Sequence, residues 1–504
     1  MTDDGNTTPP NILLVVWDAC RYDYALEHAE FLNELAATNI RFENAIAPSP
    51  WSLPSHASIF SGEKPHQHGS TKFGDLIEAP LVQELSSHGY RTYGVSANGF
   101  ASQRTGFHQN FDHFRYTGGR DPFVGGLDVS GISQDVLRKE DASYQDALIQ
   151  ILQEIPRHDH PFKSVLNLLG VACGELSNKF EILQNIRHPV FGPTSDYSYN
   201  PQKNTDLIES IIQNDSVNDP FFLFTNYMDT HRCYKPSPAL QKKHLGRTLE
   251  YNELVRLNEE IASPMEFESR KSTNTLSEED IRAVRGLYAG EVETADNHLA
   301  EIFNQLEKEN LRQNTIVIVT ADHGENLGET DEMGRQRMGH EASVSDAVLR
   351  VPLVVAHPDL DAAMIENEVS LEFLYDLFLS IAGDGTSIER AIRNAIPDSP
   401  ATSEYPATGG EGKTLKKYPK VSQDVVRNRS VEDSTVAYAD GWKVVAESDS
   451  GKWAFERGAP IDLDDAPQEL VEETMDLLEM LVSSASAQEL DEERVSQLED
   501  LGYI

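Results

Sequence analysis

Asn11-Ile12-Leu13-Leu14-Val15-Val16-Trp17, running into Asp18, is the stretch on which the fold turns. A nearly continuous apolar run of this length marks a strand buried on both faces of a parallel sheet. It ends in Asp18-Ala19-Cys20-Arg21. A carboxylate at the C-terminal end of a central strand sits where open α/β sheets bind ligands; a helix-capping aspartate is the other reading of Asp18.

The pattern recurs outward from this stretch. Segments 40–45, 92–96, 220–227, 315–320 and 351–356 read as strands, and 27–38, 81–88, 132–155, 205–214, 281–308 and 369–382 as helices. Ser277-Glu278-Glu279-Asp280 caps the long helix. This βα rhythm predicts an α/β fold. Residues 156–200 read as a lid or insertion, 235–275 as a polar surface excursion and 384–420 as loop. An antiparallel hairpin follows at 434–438 and 442–446, turning at Asp440-Gly441, with 452–455 as a third strand. The expected division is an α/β domain over 1–400 and a C-terminal subdomain over 401–504, whose acidic helical tail (469–498) is a solvated face.

The chain has 504 residues, 83 acidic against 42 basic, for a formal charge of −41. Such a surface repels nucleic acid and anionic membrane. It suits a salt-rich interior, as in a halophilic archaeon, because salt screens the self-repulsion. Loss of structure on dialysis to low salt is then expected; unchanged helicity there would refute the idea. Cys20, Cys173 and Cys233 are too few and scattered for a disulfide framework or a Cys-rich metal site. The polar N-terminus carries no signal peptide, and no run of eighteen apolar residues forms a membrane span. The expected place is the cytoplasm.

A second stretch supplies the chemistry: Trp51-Ser52-Leu53-Pro54-Ser55-His56-Ala57-Ser58-Ile59-Phe60-Ser61-Gly62. Pro54 is tolerated in a first helical turn, which places Ser52 at or just before a helix start, facing incoming charge with free backbone N–H groups. Taken alone, Ser52 reads equally as a helix cap.

Polar groups end three separate strands: Asp18, the Asp229/His231 pair, and Asp322-His323. In a doubly wound sheet these ends converge on one crevice. Two carboxylates and an imidazole around a hydroxyl form a site for Mn²⁺, Mg²⁺, Ca²⁺ or Zn²⁺. Such an ion lowers the pKa of the Ser52 hydroxyl and neutralises a phosphoryl or sulfuryl group. His340 and His56 are candidates to donate to an anion or protonate a leaving oxygen, whereas His66, His68 and His113 read as surface or packing residues.

These residues carry a resemblance. The chain resembles the sulfatase family of the alkaline phosphatase superfamily over roughly 10–382. The matching segments are 11–18, 47–58 with Gly62 and His68-Gly69, 320–325, and His340 ahead of Arg350-Val351-Pro352-Leu353. The resemblance implies a three-layer α/β sandwich with a central mixed, mostly parallel sheet and a small C-terminal antiparallel subdomain. It implies Asp18, Asp322 and His323 as metal ligands, Ser52 as nucleophile and fourth ligand, and His231 and His340 as contacts to the substrate anion or leaving group.

Departures from the family pattern matter. Sulfatases proper convert a Cys or Ser to formylglycine inside a motif continuing x-Pro-Ser-Arg, and here His56 replaces that arginine. Ala19 replaces a second aspartate, and His323 follows Asp322 where asparagine is common. Formylglycine at Ser52 is therefore not expected. The implied function is metal-dependent hydrolysis of a small-molecule or glycan-linked sulfate or phosphate ester. Alternatives are a phosphodiester or phosphonate hydrolase, a phosphoglycerol-type transferase, and a non-catalytic binding protein that retains the fold.

Overall fold

The computed structural model describes residues 9–119, 121, 126–137, 139, 143–179, 200–215, 220–340, 342–383, 387–407, 432–449 and 451–486. Its strands are β1 (Asn11–Trp17), β2 (Ile40–Ile46), β3 (Arg91–Ser96), β4 (His113–Tyr116), β5 (Phe221–Tyr227), β6 (Thr315–Thr320), β7 (Asn326–Thr330), β8 (Gln336–Gly339), β9 (Arg350–Ala356) and β10 (Ala363–Ser370). A C-terminal group comprises β11 (Ala401–Tyr405), β12 (Ser434–Ala439), β13 (Trp442–Glu447), β14 (Gly451–Glu456) and β15 (Ala459–Ile461).

Eight strands form the central sheet in the order β10-β2-β9-β6-β1-β5-β3-β4. β9 is antiparallel to both its neighbours and every other pairing is parallel, so the sheet is mixed and mostly parallel. β1 lies inside it, between β5 and β6, and Ile12 through Trp17 are each at most 1% exposed. Each such side chain, fully buried, contributes about 1.5–3 kcal/mol, which is why an unbroken apolar run belongs at this position. The 31-residue helix Glu278–Lys308 covers one face, its N-terminus capped by Ser277, whose hydroxyl accepts from Glu279 N–H at 3.2 Å. Ser52–Ser61, Pro80–Ser87 and Phe373–Gly383 pack together and, through Phe60 and Phe378, against Phe222 of the sheet.

The second sheet is antiparallel, in the order β11-β12-β13-β14-β15. The β12–β13 turn is Asp440-Gly441, with φ of 52° and 81°, the left-handed pair that a two-residue hairpin requires. The helix Gln468–Ser486 is not simply a solvated face: Leu470, Thr474 and Leu481 are buried, and Thr435 Oγ1 donates to Thr474 O at 2.9 Å. The rest of the expected tail lies outside the described residues. Glu404 N–H donates to Pro48 O at 2.9 Å, which places the second sheet beside the segment leading into Ser52.

Several elements differ from expectation. Residues 235–275 are not a surface excursion. They form the helices Pro238–Leu245, Tyr251–Arg256 and Pro264–Ser272 with a π turn at Leu257–Ile261, and they bury Leu257, Ile261 and Phe267. The helix expected to begin at 369 begins at Phe373, because 363–370 is the edge strand β10. The stretch expected as loop contains the helix Ile388–Ala395 and β11. The periodicity at 132–155 resolves into Val129–Leu137 and Tyr144–Glu154. Of the lid or insertion at 156–200, Pro161–Lys179 is helical and 180–199 lie outside the described residues. No helix among the described residues is long and apolar enough to cross a membrane.

Candidate functional site

Strand register builds the site. Val16 pairs with Thr320 on one side of β1 and with Asn226 on the other, and Asn226 pairs with Ser96 of β3. Two residues beyond these paired positions stand Asp18, Asp322 and Asn98, at one level along the sheet edge. The helix Ser52–Ser61 arrives from β2 with Trp51 as N-cap in extended conformation and no side-chain capping bond. Ser52 is therefore not a cap. Its Oγ donates to Asp18 Oδ2 at 3.3 Å and lies 3.3 Å from His323 Nε2. Ser55 Oγ donates to Asp322 O at 2.7 Å and fastens this helix to the end of β6.

Asp18, Asp322 and His323 are fully buried, and each offers one ligand atom within 4.8 Å of the others. Asp18 Oδ2 accepts from Asn98 Nδ2, and Asp322 Oδ1 accepts from the N–H groups of Ala19 (3.1 Å) and His323 (3.0 Å). Asp18 Oδ1 and Asp322 Oδ2, by contrast, are buried without any hydrogen-bond partner. Orphaned anionic oxygens in a dry interior are costly unless a cation joins them. His323 Nδ1 sits 2.8 Å from Gly324 O, which assigns its proton to Nδ1 and leaves Nε2, 3.6 Å from Asp322 Oδ2, as a lone-pair donor. The donor set fits a divalent cation. Burial and the neighbouring Asp322 charge push the Asp18 carboxyl well above its ordinary value, and burial lowers His323.

His340 follows β8 and stacks toward His323 with ring centroids 4.2 Å apart; its Nδ1 is 3.2 Å from Glu325 Oε1. His231 lies next in line, its ring 5.5 Å from His340. Asp229 is buried; burial raises the pKa of Glu291 and Tyr227, and the Asp229 charge raises both further. His56 is not where a donor to substrate belongs. It is fully buried between Phe107 and Phe224, with Nδ1 2.8 Å from Ser52 O and Nε2 3.3 Å from Asn226 Nδ2, so both ring nitrogens are engaged. Burial lowers its pKa. His68 also stays out of the site: Nδ1 accepts from Ser70 N–H at 3.0 Å and Nε2 meets Ser58 Oγ at 3.1 Å.

The sequence reading passed over Asn98 and gave Glu325 no task. Asn98 stands two residues past a strand end, the signal that picked out Asp18. Glu325 reaches His340 through the β7–β8 hairpin, a contact no local pattern announces.

The fold is an alkaline-phosphatase-like α/β sandwich, and its sheet edge carries a buried Asp-Asp-His cluster whose donor set fits a divalent cation. The family description "Sulfatase" matches residues 10–384, and the chain belongs to that family. It is 24% identical over 395 residues to arylsulfatase K of Canis lupus familiaris, covering 74% of this chain and 63% of that one. The chain thus spans less than two thirds of that relative's length. Among solved structures, one bound to its substrate D-glucosamine-2-N,6-O-disulfate superposes with a TM-score of 0.60 at 14% identity, covering 96% of this chain and 99% of that one. A phosphonate monoester hydrolase of Agrobacterium radiobacter superposes with 0.56 at 16%, covering 95% and 96%. The cytoplasmic placement does not stand: relatives include an extracellular sulfatase homologue of Drosophila melanogaster, 23% identical over 77% of this chain and 32% of that one. The grounds for that placement are a polar N-terminus without a signal-peptide pattern and no apolar run long enough for a membrane span, neither of which fixes a compartment.

Proposed function

We propose that the chain hydrolyses sulfate or phosphate esters with an unmodified Ser52 as nucleophile and Asp18, Asp322, His323 and Ser52 as ligands of a divalent cation. The observation that carries this is the Ser52 hydroxyl set 3.3 Å from both Asp18 and His323, beside two carboxylate oxygens with no partner. A bound cation supplies positive charge that lowers the hydroxyl pKa and offsets charge on the anion's oxygens. Ser52 Oγ attacks sulfur or phosphorus as the ester oxygen departs, and water then cleaves the serine ester. His340, oriented by Glu325, and His231 contact the anion and supply the leaving oxygen with its proton.

The fold itself hosts both chemistries, since its neighbours include a phosphonate monoester hydrolase and a protein bound to a sugar disulfate. The state of Ser52 bears on the choice between them. A formylglycine hydrate expels sulfate by collapsing to an aldehyde, whereas an unmodified serine must have its ester hydrolysed, which favours phosphorus. His56 supports the unmodified state, because a buried imidazole bound to Ser52 O stands where the modification motif has arginine. The intact mass of the peptide bearing Ser52 is expected to equal the encoded mass; a loss of about 2 Da, from oxidation to the aldehyde, would overturn this part. Activity itself is tested on aryl sulfate, aryl phosphate and phosphonate esters with Mn²⁺, Mg²⁺, Ca²⁺ or Zn²⁺. Hydrolysis of at least one ester is expected, and inertness toward all of them would favour a binding protein.

A further inference from the structure

We infer that Lys443, on the central strand of the C-terminal sheet, is a positioning residue for the hydrolase site: it fixes the segment 342–346 and, through it, His340. Lys443 is only 5% exposed. A buried ammonium costs several kcal/mol unless it is well paired, so its partners reveal its task. Within its own sheet its Nζ lies over the Tyr438 ring, 5.2 Å from the centroid, but its carboxylate and carbonyl partners all come from outside that sheet. Lys443 Nζ donates to Val344 O at 3.0 Å, to Asp346 Oδ1 at 2.7 Å and to Glu332 Oε1. Tyr438 OH, on the adjacent strand, donates to Asp346 Oδ1 at 2.9 Å, and Asp346 N–H donates to Glu332 Oε1 at 3.1 Å.

These contacts continue to His340 through the interior. Ser345, fully buried between Val344 and Asp346, donates from Oγ to Asn326 Oδ1 at 2.9 Å. Asn326 Nδ2 in turn donates to Gly339 O at 2.7 Å, one residue before His340. The turn between them includes Ala342 at φ 55°, left-handed for a residue with a Cβ, a conformation that persists only when its surroundings hold it. Arg337 reaches the Ala342 carbonyl from β8. The hairpin tip is pinned separately: Arg335 forms a paired bridge to Glu447 of β13 at 2.6 and 2.7 Å and lies over Trp453. The second sheet therefore grips both sides of His340, whereas Asp18 and Asp322 hang from β1 and β6 and need no such support.

This inference rests on the proposed role of His340, so its test has one readout that needs no turnover. In full-length protein labelled for histidine Cε1–H detection, the His340 signal is assigned by its loss in His340→Gln. Lys443→Met is expected to shift or broaden that signal while His68 stays unchanged. On an ester the wild type cleaves, kcat/KM is expected to fall about 10- to 100-fold, with divalent-cation affinity within about threefold. Lys443→Arg, which keeps the charge, restores most of the loss. Glu332 and Asp346 keep some solvent contact (side chains 17% and 39% exposed), so Lys443→Met does not strand a fully buried carboxylate. If it still fails to fold, Asp346→Asn loosens the same link and must move the His340 signal. An unmoved His340 signal in a folded variant overturns the inference, as does a joint loss of cation affinity, His68 signal and melting temperature. A wild type inert on every ester refutes the functional reading instead, and the His340 signal still decides the positioning.

Discussion

Ser52→Ala is expected to remove ester hydrolysis almost entirely, by roughly 10³-fold or more, as loss of a nucleophile does elsewhere, while leaving the fold intact. The two halves of this prediction come from different contacts. Catalytically, no other described hydroxyl stands beside both Asp18 and His323, so attack on sulfur or phosphorus has no substitute. Structurally, the Ser52 hydroxyl does little. It makes no capping bond to the helix start, and its bond to Asp18 at 3.3 Å is long. Removing one such hydrogen bond costs about 1 kcal/mol. Ser55→Ala is the contrasting case: its hydroxyl bonds the Asp322 carbonyl at 2.7 Å in a fully buried position, so it is expected to lower stability and to disturb the Asp322 carboxylate it fastens. Turnover and melting curves on both variants separate nucleophile from scaffold. A Ser52→Ala protein with wild-type turnover would refute the proposed mechanism outright.

What was legible in the sequence follows from where burial is symmetrical. β1, β5 and β6 lie inside the central sheet, covered on both faces, and their apolar runs announce themselves. Because these strands are parallel and in register, residues just past their ends had to meet, and Asp18, Asp322 and His323 could be grouped although hundreds of positions separate them. β10 gave no such signal. At the sheet edge, Ala363–Ser370 exposes Ala363, Met364, Glu366 and Asn367, so neither apolar run nor clean alternation marks it. The helices within 235–275 are short, and their apolar residues are buried by packing against the long helix, β8 and one another rather than by a repeat of their own. His56 shows a different limit. Its place four residues after Ser52 is fixed by helical spacing, yet spacing alone does not say whether the ring faces substrate or, as here, the Phe107 and Phe224 side of the core.

Asp18→Asn is expected to reverse the order of stability between two conditions, a signature that a purely structural carboxylate would not give. Without cation, wild type holds two buried carboxylates side by side, with Asp18 Oδ1 and Asp322 Oδ2 lacking partners. Burial and the Asp322 charge already push the Asp18 carboxyl up, so its ionised form is a liability. An amide of the same shape removes that charge and still accepts from Asn98, so with chelator present the variant is expected to be more stable by about 1 kcal/mol or more. With cation the sign inverts. A ligand that binds only the folded state at a thousand times its Kd stabilises it by about 4 kcal/mol, and wild type gains this while a variant short of one anionic ligand does not. Melting temperatures should therefore cross: variant above wild type in chelator, below it in saturating Mn²⁺ or Ca²⁺. A wild-type melt indifferent to all four cations and to chelator would remove the metal from the site. A variant less stable in both conditions would make Asp18 a scaffold residue, held by Asn98 and Ser52 for packing rather than for an ion.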